Sequence, residues 1–291
     1  MNIPSLNYLF SITFRDVVKL SRIYFLYYWI IRPVIISSLR TLIKSENFKV
    51  NFILAGVVKA GTTAVYESLK QTDQLCLSVV KEVKFFTDEK FYNRNDSEAF
   101  YHSFFNRKSH QKLVGEASPS YLYHYGDIQR IYNYNKDIKL IVILRNPIER
   151  AYSHWNMRRA RNQDPLSFSQ AIRKDKERLD KETVESDWNF SYLKAGQYVF
   201  QLQRMWQYFP KQQTLIIKHD DLLDDYQNEL KKIYEFLGIP GQKPERQKMI
   251  HARGYPQALN TADREYLLDY YREDILALEK VLDWDCSHWL D

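Results

Sequence analysis

A glycine-bounded loop that carries a lysine and leads into two threonines is the strongest chemical signal in the sequence. The loop runs from Gly56 to Gly61, contains Lys59, and is followed directly by Thr62 and Thr63. An apolar run precedes it and a helix-like segment follows, and the free N–H groups of a helix N-terminus bind anions. The spacing matches a P-loop, but nucleotide hydrolases place lysine directly after the second glycine, where Thr62 stands here. The pattern predicts a phosphate cradle with a displaced cation, and the alternative is an ordinary strand–helix turn.

A second anion site is predicted where another apolar run, residues 141–144, ends in Arg145. In a nucleotide hydrolase the corresponding strand typically ends in an aspartate that holds magnesium. A guanidinium fork suits a phosphate and works against a metal ion. Ser153 follows in the helix predicted after Pro147 and is placed to donate to the same anion, although a solvated serine is the alternative. We therefore expect two anionic groups in one cleft and no metal.

Charged side chains follow all five predicted strands. The strands are residues 50–57, 75–80, 112–115, 138–144 and 213–218. The charged residues after them are, in order, Lys59, Lys81 with Glu82, Glu116, Arg145, and His219 with Asp220. Because ligands of open parallel sheets bind beyond the carboxyl ends of the strands, we expect these side chains to face one cleft.

Helix-like segments lie between and after these strands. They are residues 62–70, 127–134, 148–159, 198–208, 222–237 and 261–281. Strands that alternate with helices predict crossover connections and a mostly parallel sheet. We expect an α/β fold over residues 50–291, a single P-loop-like domain with a central sheet flanked by helices.

Composition limits the partners and the compartment. The chain has 291 residues, 45% of them hydrophobic, and a net charge of +6, which suits an anionic ligand. No long basic run indicates nucleic-acid binding, and no Cys/His cluster has metal-ligand spacing. Cys76 and Cys286 are expected to be free thiols, which favours a reducing compartment and a cytoplasmic location.

The first 49 residues form a separate aromatic and basic tail. Its apolar run at residues 23–31 is interrupted by Arg32 and Pro33, so it is shorter than the roughly 20 residues of a spanning helix. Basic residues on both sides would suit a helix that lies on a membrane surface. The alternative is a helix packed on the domain or on a partner subunit, and the oligomeric state stays open.

Taken together, the motifs resemble those of sulfotransferases that use 3′-phosphoadenosine 5′-phosphosulfate (PAPS). Residues 59–63 resemble the 5′-phosphosulfate loop and residues 144–153 the 3′-phosphate motif. The segment Glu82-Val-Lys-Phe-Phe86 resembles the Glu-Val-x-Phe-Phe segment of the heparan sulfate N- and 3-O-sulfotransferase branch. Residues 115–121, 252–256 and 270–278 resemble that branch's third motif, lid and closing helix. The resemblance extends from about Asn51 to Trp289.

The resemblance implies a role for each matching residue. Lys59, Ala60, Gly61, Thr62 and Thr63 would hold the 5′-phosphate, and Lys59 would also stabilise charge on it as it leaves. The 3′-phosphate would be bound by Arg145 and Ser153, while Arg253 and Gly254 would close over the donor. Glu82 would be the general base, and PAP would be the product. A surface ion pair of Glu82 with Lys81 or Lys84 is the alternative, with Glu116, His124 and His219 as further base candidates.

Two positions depart from the family pattern. Ala117 replaces a lysine in the third motif, and His251 replaces a basic residue in the lid. Both positions lie near where sulfate and acceptor meet in the family, so a glycan, a glycolipid or a small metabolite stays open as the acceptor. A nucleotide kinase or NTPase and a non-catalytic phospho-ligand module are the alternative functions.

Overall fold

A five-stranded parallel sheet forms the centre of the protein in the computed structural model, which describes residues 48–180, 188–241 and 258–291. Its strands are β1 (Phe52–Gly56), β2 (Leu75–Leu77), β3 (Leu113–Ala117), β4 (Lys139–Leu144) and β5 (Thr214–Lys218). Their order across the sheet is β2-β3-β1-β4-β5, and all neighbours pair in parallel. The predicted fold class is confirmed, and each strand lies within or close to its predicted range.

Helices cover the sheet. They are α1 (Thr62–Leu69), α2 (Glu89–Tyr92), α3 (Ser97–His102), α4 (Asp127–Tyr134), α5 (Pro147–Ala160), α6 (Phe168–Asp180), α7 (Tyr198–Trp206), α8 (His219–Asp224), α9 (Tyr226–Leu237) and α10 (Thr261–Leu282). Short 3₁₀ turns occur at Trp188–Phe190, Lys194–Gly196, Lys211–Gln213 and Ser287–Trp289. The helix predicted over 222–237 is instead two helices, because the Asp225 side chain accepts a hydrogen bond from the Asn228 N–H and starts α9 anew.

The strands are continuous apolar runs because both faces of the sheet are covered. Every residue of β1 is buried, and so are residues 140–144 of β4. The charged residues Lys59, Lys81 with Glu82, and Arg145 follow the ends of β1, β2 and β4. Cys76 and Cys286 are both buried, and neither forms a disulfide, as predicted.

The last long helix, α10, is joined to the segment before α7. The Tyr271 hydroxyl donates to the carbonyl oxygens of Tyr192 and Leu193 at 3.0 and 2.9 Å. The carboxylate of Asp274 accepts hydrogen bonds from the N–H groups of Tyr198 at 2.7 Å and Val199 at 3.3 Å. Asp274 therefore caps the N-terminus of α7 from a distant part of the chain.

Most of the predicted tail lies outside the described residues, and so does the predicted lid segment with His251, Arg253 and Gly254. The assignments made for them stay predictions. Within the described ranges, no helix is both long enough and apolar enough to cross a membrane.

Candidate active site

The predicted cradle lies between β1 and α1. Lys59 and Gly61 both have left-handed backbone conformations, with φ of 74° and 85°. Such a conformation costs energy at a non-glycine residue such as Lys59 and is retained mainly at functional sites. Among the described residues, no side chain accepts a hydrogen bond from the first turn of α1. The N–H groups of Thr62 and Thr63 are therefore available to an anion.

Two cationic residues meet at this loop. The Nη1 of Arg145 donates a 3.1 Å hydrogen bond to the carbonyl oxygen of Lys59. Burial lowers the pKa of Lys59, and the positive charges of Arg145, Arg161 and Lys81 lower it further. Mutual repulsion among buried cations is relieved when an anion binds. The first two predicted site residues, Lys59 and Arg145, are thus brought together.

Neighbouring side chains hold Arg145 in place at the end of β4. Its carbonyl oxygen accepts a 2.7 Å hydrogen bond from the Tyr198 hydroxyl, and its Nη2 lies 3.8 Å from the Glu149 carboxylate. Helix α5 begins directly afterwards, with the Asn146 side chain accepting from the Ile148 N–H at 2.9 Å. Ser153 lies on this helix and is buried. Its assignment to a 3′-phosphate stays a prediction.

Glu82 lies beyond β2 in a second left-handed conformation, with φ of 63°. Its carboxylate is 3.4 Å from the Lys81 ammonium and 3.5 Å from that of Lys84, and its side chain is 36% exposed. Burial raises the pKa of Glu82, but the charges of Lys81 and Lys84 outweigh this, and the pKa lies below its ordinary value. Glu82 is therefore an ionised, partly accessible carboxylate, and both ion pairs of the alternative interpretation are present.

The position of Glu116 differs from the prediction that it faces the cleft. Strand β3 continues to Ala117, and Glu116 lies inside it at 1% exposure. Its carboxylate accepts hydrogen bonds from the hydroxyls of Tyr101 at 2.7 Å, Tyr121 at 3.0 Å and Ser118 at 2.7 Å. Burial raises its pKa. A carboxylate enclosed in this way serves the structure and is a poor candidate for the base.

Glu116 nevertheless supports the Glu82 segment through Ser118. The Ser118 hydroxyl donates to Glu116 and accepts a 3.1 Å hydrogen bond from the Lys84 N–H. The Glu82 N–H donates to the Ala117 carbonyl at 2.8 Å. Ala117, which replaces a family lysine, thus contributes its backbone to holding the predicted base.

His219 lies against the cradle. A Cβ added to Gly61 would lie 3.4 Å from the His219 ring, so the imidazole packs on the loop. Burial and the nearby Arg145 lower the pKa of His219 to about 4, and the ring is neutral at pH 7. Asp220 instead accepts a 2.9 Å hydrogen bond from the Trp289 indole, which joins it to the C-terminal end of the chain. His124 stacks edge-on against the Tyr123 ring and is half-buried.

Arg150 is a residue near the cradle that sequence reasoning missed. It is completely buried, donates to the Tyr192 carbonyl, and lines a small cavity with Val57 and Val58 of the loop. Its Nε and Nη1 have no hydrogen-bond partner among the described residues. The available signal was its position on α5, five residues after Arg145, but a charged helical residue is ordinarily expected in solvent.

Comparisons with known proteins identify the family of the chain. The sequence profile of the sulfotransferase domain matches residues 49–258. Human heparan sulfate glucosamine 3-O-sulfotransferase 5 is 29% identical over 195 residues, which are 65% of this chain and 53% of that protein. Mouse heparan sulfate glucosamine 3-O-sulfotransferase 3A1 is 28% identical over 187 residues, 64% of this chain and 45% of that protein. The chain thus spans about half the length of these relatives.

A solved structure supports the same grouping. The crystal structure of a sulfotransferase from Alicyclobacillus acidocaldarius superposes with a TM-score of 0.71 at 25% identity, covering 84% of this chain and 100% of that one. The profile match covers more than half of the chain. The chain belongs to the sulfotransferase family.

Proposed function

We propose that this protein transfers a sulfuryl group from PAPS to a hydroxyl or amino group of an acceptor, a carbohydrate or a glycolipid. The observation that carries the proposal is the contact between Lys59 and Arg145 at the N-terminus of α1. Two cations held together at a helix N-terminus suit a ligand with two separate phosphates. Arg145 stands where a magnesium-dependent hydrolase has an aspartate, so the residues fit a nucleotide bound without metal.

Each end of the donor has its own residues in this proposal. The backbone of residues 60–63 and the hydroxyls of Thr62 and Thr63 hold the 5′-phosphate. Arg145 and Ser153 bind the 3′-phosphate and so select PAPS over adenosine 5′-phosphosulfate. Arg253 and Gly254 are proposed to close over the nucleotide.

Lys59 and Glu82 act on the reacting atoms. When bound, PAPS supplies an activated sulfuryl group whose bond to the 5′-phosphate breaks as a bond to the acceptor forms. Lys59 stabilises the negative charge that builds on the leaving phosphate oxygen. Glu82, which is ionised because of Lys81 and Lys84, accepts the proton of the acceptor hydroxyl or amine. The negative charge of Glu82 also raises the pKa of Lys59, so the two charges attract each other.

A carbohydrate acceptor is supported by the relatives, which are heparan sulfate glucosamine 3-O-sulfotransferases. Ala117 and the predicted lid residue His251 depart from the family pattern, so the proposal names a carbohydrate and no particular sugar or position.

We also propose a reducing compartment and peripheral membrane contact through residues 1–49.

The proposal is tested by incubating the protein with labelled PAPS and a panel of glycans, glycolipids and small phenols. We expect label in a carbohydrate-containing acceptor, with transfer retained in excess EDTA and lost in Lys59→Ala. Magnesium-dependent turnover of ATP would favour a kinase or NTPase instead. Binding of PAP without transfer to any acceptor would favour a non-catalytic module.

A further inference from the structure

Two exposed aromatic rings lie close to one arginine. Tyr125 and Phe200 are the most exposed large apolar side chains in the described parts of the chain, at 73% and 58%. The guanidinium carbon of Arg204 lies 5.5 Å from the centre of the Tyr125 ring and 5.9 Å from that of Phe200. A single exposed ring is ordinary, but two that converge on one point indicate a binding surface.

The space between them is a surface pocket of about 140 Å³, which the amides of Gln203 and Gln207 complete. Arg204 lines this pocket although it is only 7% exposed. Its Nη2 donates to the carbonyl oxygens of Leu122 and Tyr123, while its Nε has no hydrogen-bond partner among the described residues. The pocket therefore combines two apolar walls, two amides and a buried positive charge.

One hydrogen-bonded segment connects the pocket to the start of the cradle loop. The Leu122 N–H donates to the Ala55 carbonyl oxygen at 3.0 Å, and the Leu122 carbonyl oxygen accepts from Arg204. Tyr123 and Gln201 line a small cavity together with residues 57–58 of the cradle loop. Tyr125 and Phe200 lie two residues and one residue away from them in the chain. The segment after β3 and the first turn of α7 thus line the cavity beside the loop with one set of residues and form the pocket with the next.

We propose that this pocket is an acceptor subsite that holds a pyranose ring beside the sugar that receives the sulfuryl group. The inference rests on the proposed function. A pyranose presents C–H faces that stack on aromatic rings and hydroxyls that exchange hydrogen bonds with amides. Arg204 adds attraction for a carboxylate or sulfate on the same sugar. An acyl chain would gain nothing from the amides or the charge.

The test is binding of a heparan sulfate hexasaccharide to the full-length protein saturated with PAP, measured by calorimetry. Tyr125→Ala and Phe200→Ala should each weaken hexasaccharide binding about threefold to tenfold, the range expected for loss of one aromatic contact. Affinity for PAP should be unchanged, because neither residue is among those proposed to hold the nucleotide. Tyr125→Phe should retain binding, and Leu276→Ala, which removes a 41% exposed side chain elsewhere, is the matched control.

Steady-state transfer gives a second readout. Each alanine variant should raise KM for the hexasaccharide with kcat nearly unchanged. Equal binding by the wild type and both variants, or no binding of the hexasaccharide by the wild type, would overturn the subsite. The subsite would also be overturned if the alanine variants lost affinity for a small phenol, p-nitrophenol, but kept their affinity for the hexasaccharide. A protein that binds the hexasaccharide through these rings but never transfers from PAPS would contradict the proposed function alone.

Discussion

The side chain of Arg145 holds the backbone of Lys59 through a 3.1 Å hydrogen bond to its carbonyl oxygen. The residue proposed for the 3′-phosphate is therefore also a support of the loop proposed for the 5′-phosphate. Because the Tyr198 hydroxyl in turn binds the Arg145 carbonyl oxygen, three elements of the fold converge on this contact. A ligand that bridges both phosphate sites would bind to a preformed surface.

Replacing Arg145 should weaken donor binding selectively. In Arg145→Ala, the loss of binding free energy for PAP should exceed that for adenosine 5′-phosphosulfate by about 1.5–3 kcal/mol, the value of a charge-assisted hydrogen bond. Calorimetry with both nucleotides measures the difference. Arg161→Ala is the control, because Arg161 acts on Lys59 only through its charge and should affect both ligands equally. Equal losses in Arg145→Ala would remove the 3′-phosphate assignment.

Replacing Glu82 should slow transfer without affecting the donor. Glu82→Gln keeps the shape of the side chain but removes its basicity, so the transfer rate should fall about 10²–10⁴-fold. PAP affinity, measured by calorimetry, should barely change. Glu98→Gln breaks an exposed ion pair with Lys49 and should leave the rate unaltered, since such pairs contribute about 0–1 kcal/mol. Near-normal turnover of Glu82→Gln would leave Glu82 as an ion-pair partner only.

Replacing Glu116 should affect stability. Three hydroxyls donate to this buried carboxylate, and a glutamine at 116 would keep one oxygen acceptor but turn an NH2 group toward at least one hydroxyl that is itself donating. Glu116→Gln should therefore lower the free energy of unfolding by about 1–3 kcal/mol, as measured by urea denaturation. Wild-type stability together with a large loss of turnover would instead make Glu116 the base.

The lowered pKa of His219 should make the free energy of unfolding depend on pH. Its pKa is about 4 in the folded protein and about 6.5 in an unfolded chain, so the unfolded state binds more protons between these values. The stability contribution is complete above pH 6.5 and is lost as the pH falls toward 4. His219→Gln should reduce the difference in unfolding free energy between pH 7.5 and pH 5. The difference should not vanish, because His102 and His154 also have lowered pKa values. An unchanged difference would show that His219 is not buried against the cradle.

The cradle could be predicted from the sequence because its determinants are local. The spacing of Gly56, Lys59 and Gly61 fixes a loop between a strand and a helix, and neighbouring residues in the chain remain neighbours in the site. The end of β4 at Arg145 followed from the same reasoning. Parallel pairing then brought these two segments together, as the alternation of strands and helices predicted.

Features that depend on distant contacts could not be predicted in this way. Glu116 looked like a residue beyond a strand because its charge follows the apolar run that ends at Gly115. That pattern does not reveal the three hydroxyls, of Tyr101, Ser118 and Tyr121, that allow a buried strand to include a carboxylate. Helix α6 was not among the predicted helices. Its sequence is mostly charged, and the buried side of the helix is a narrow stripe formed by Phe168, Ala171, Ile172 and Asp175. The burial of Arg150 likewise depends on packing against the Tyr192 carbonyl.

The cap that Asp274 places on α7 bears on how this protein can be divided for recombinant work. The sulfotransferase profile ends at residue 258, before α10 begins. A fragment cut at that boundary would lose the hydrogen bonds that Asp274 and Tyr271 make to residues 192–199. Tyr198 belongs to this segment, and its hydroxyl donates the hydrogen bond that holds the Arg145 carbonyl oxygen. The smallest autonomous folding unit therefore extends through α10, beyond the limit that sequence similarity alone would set.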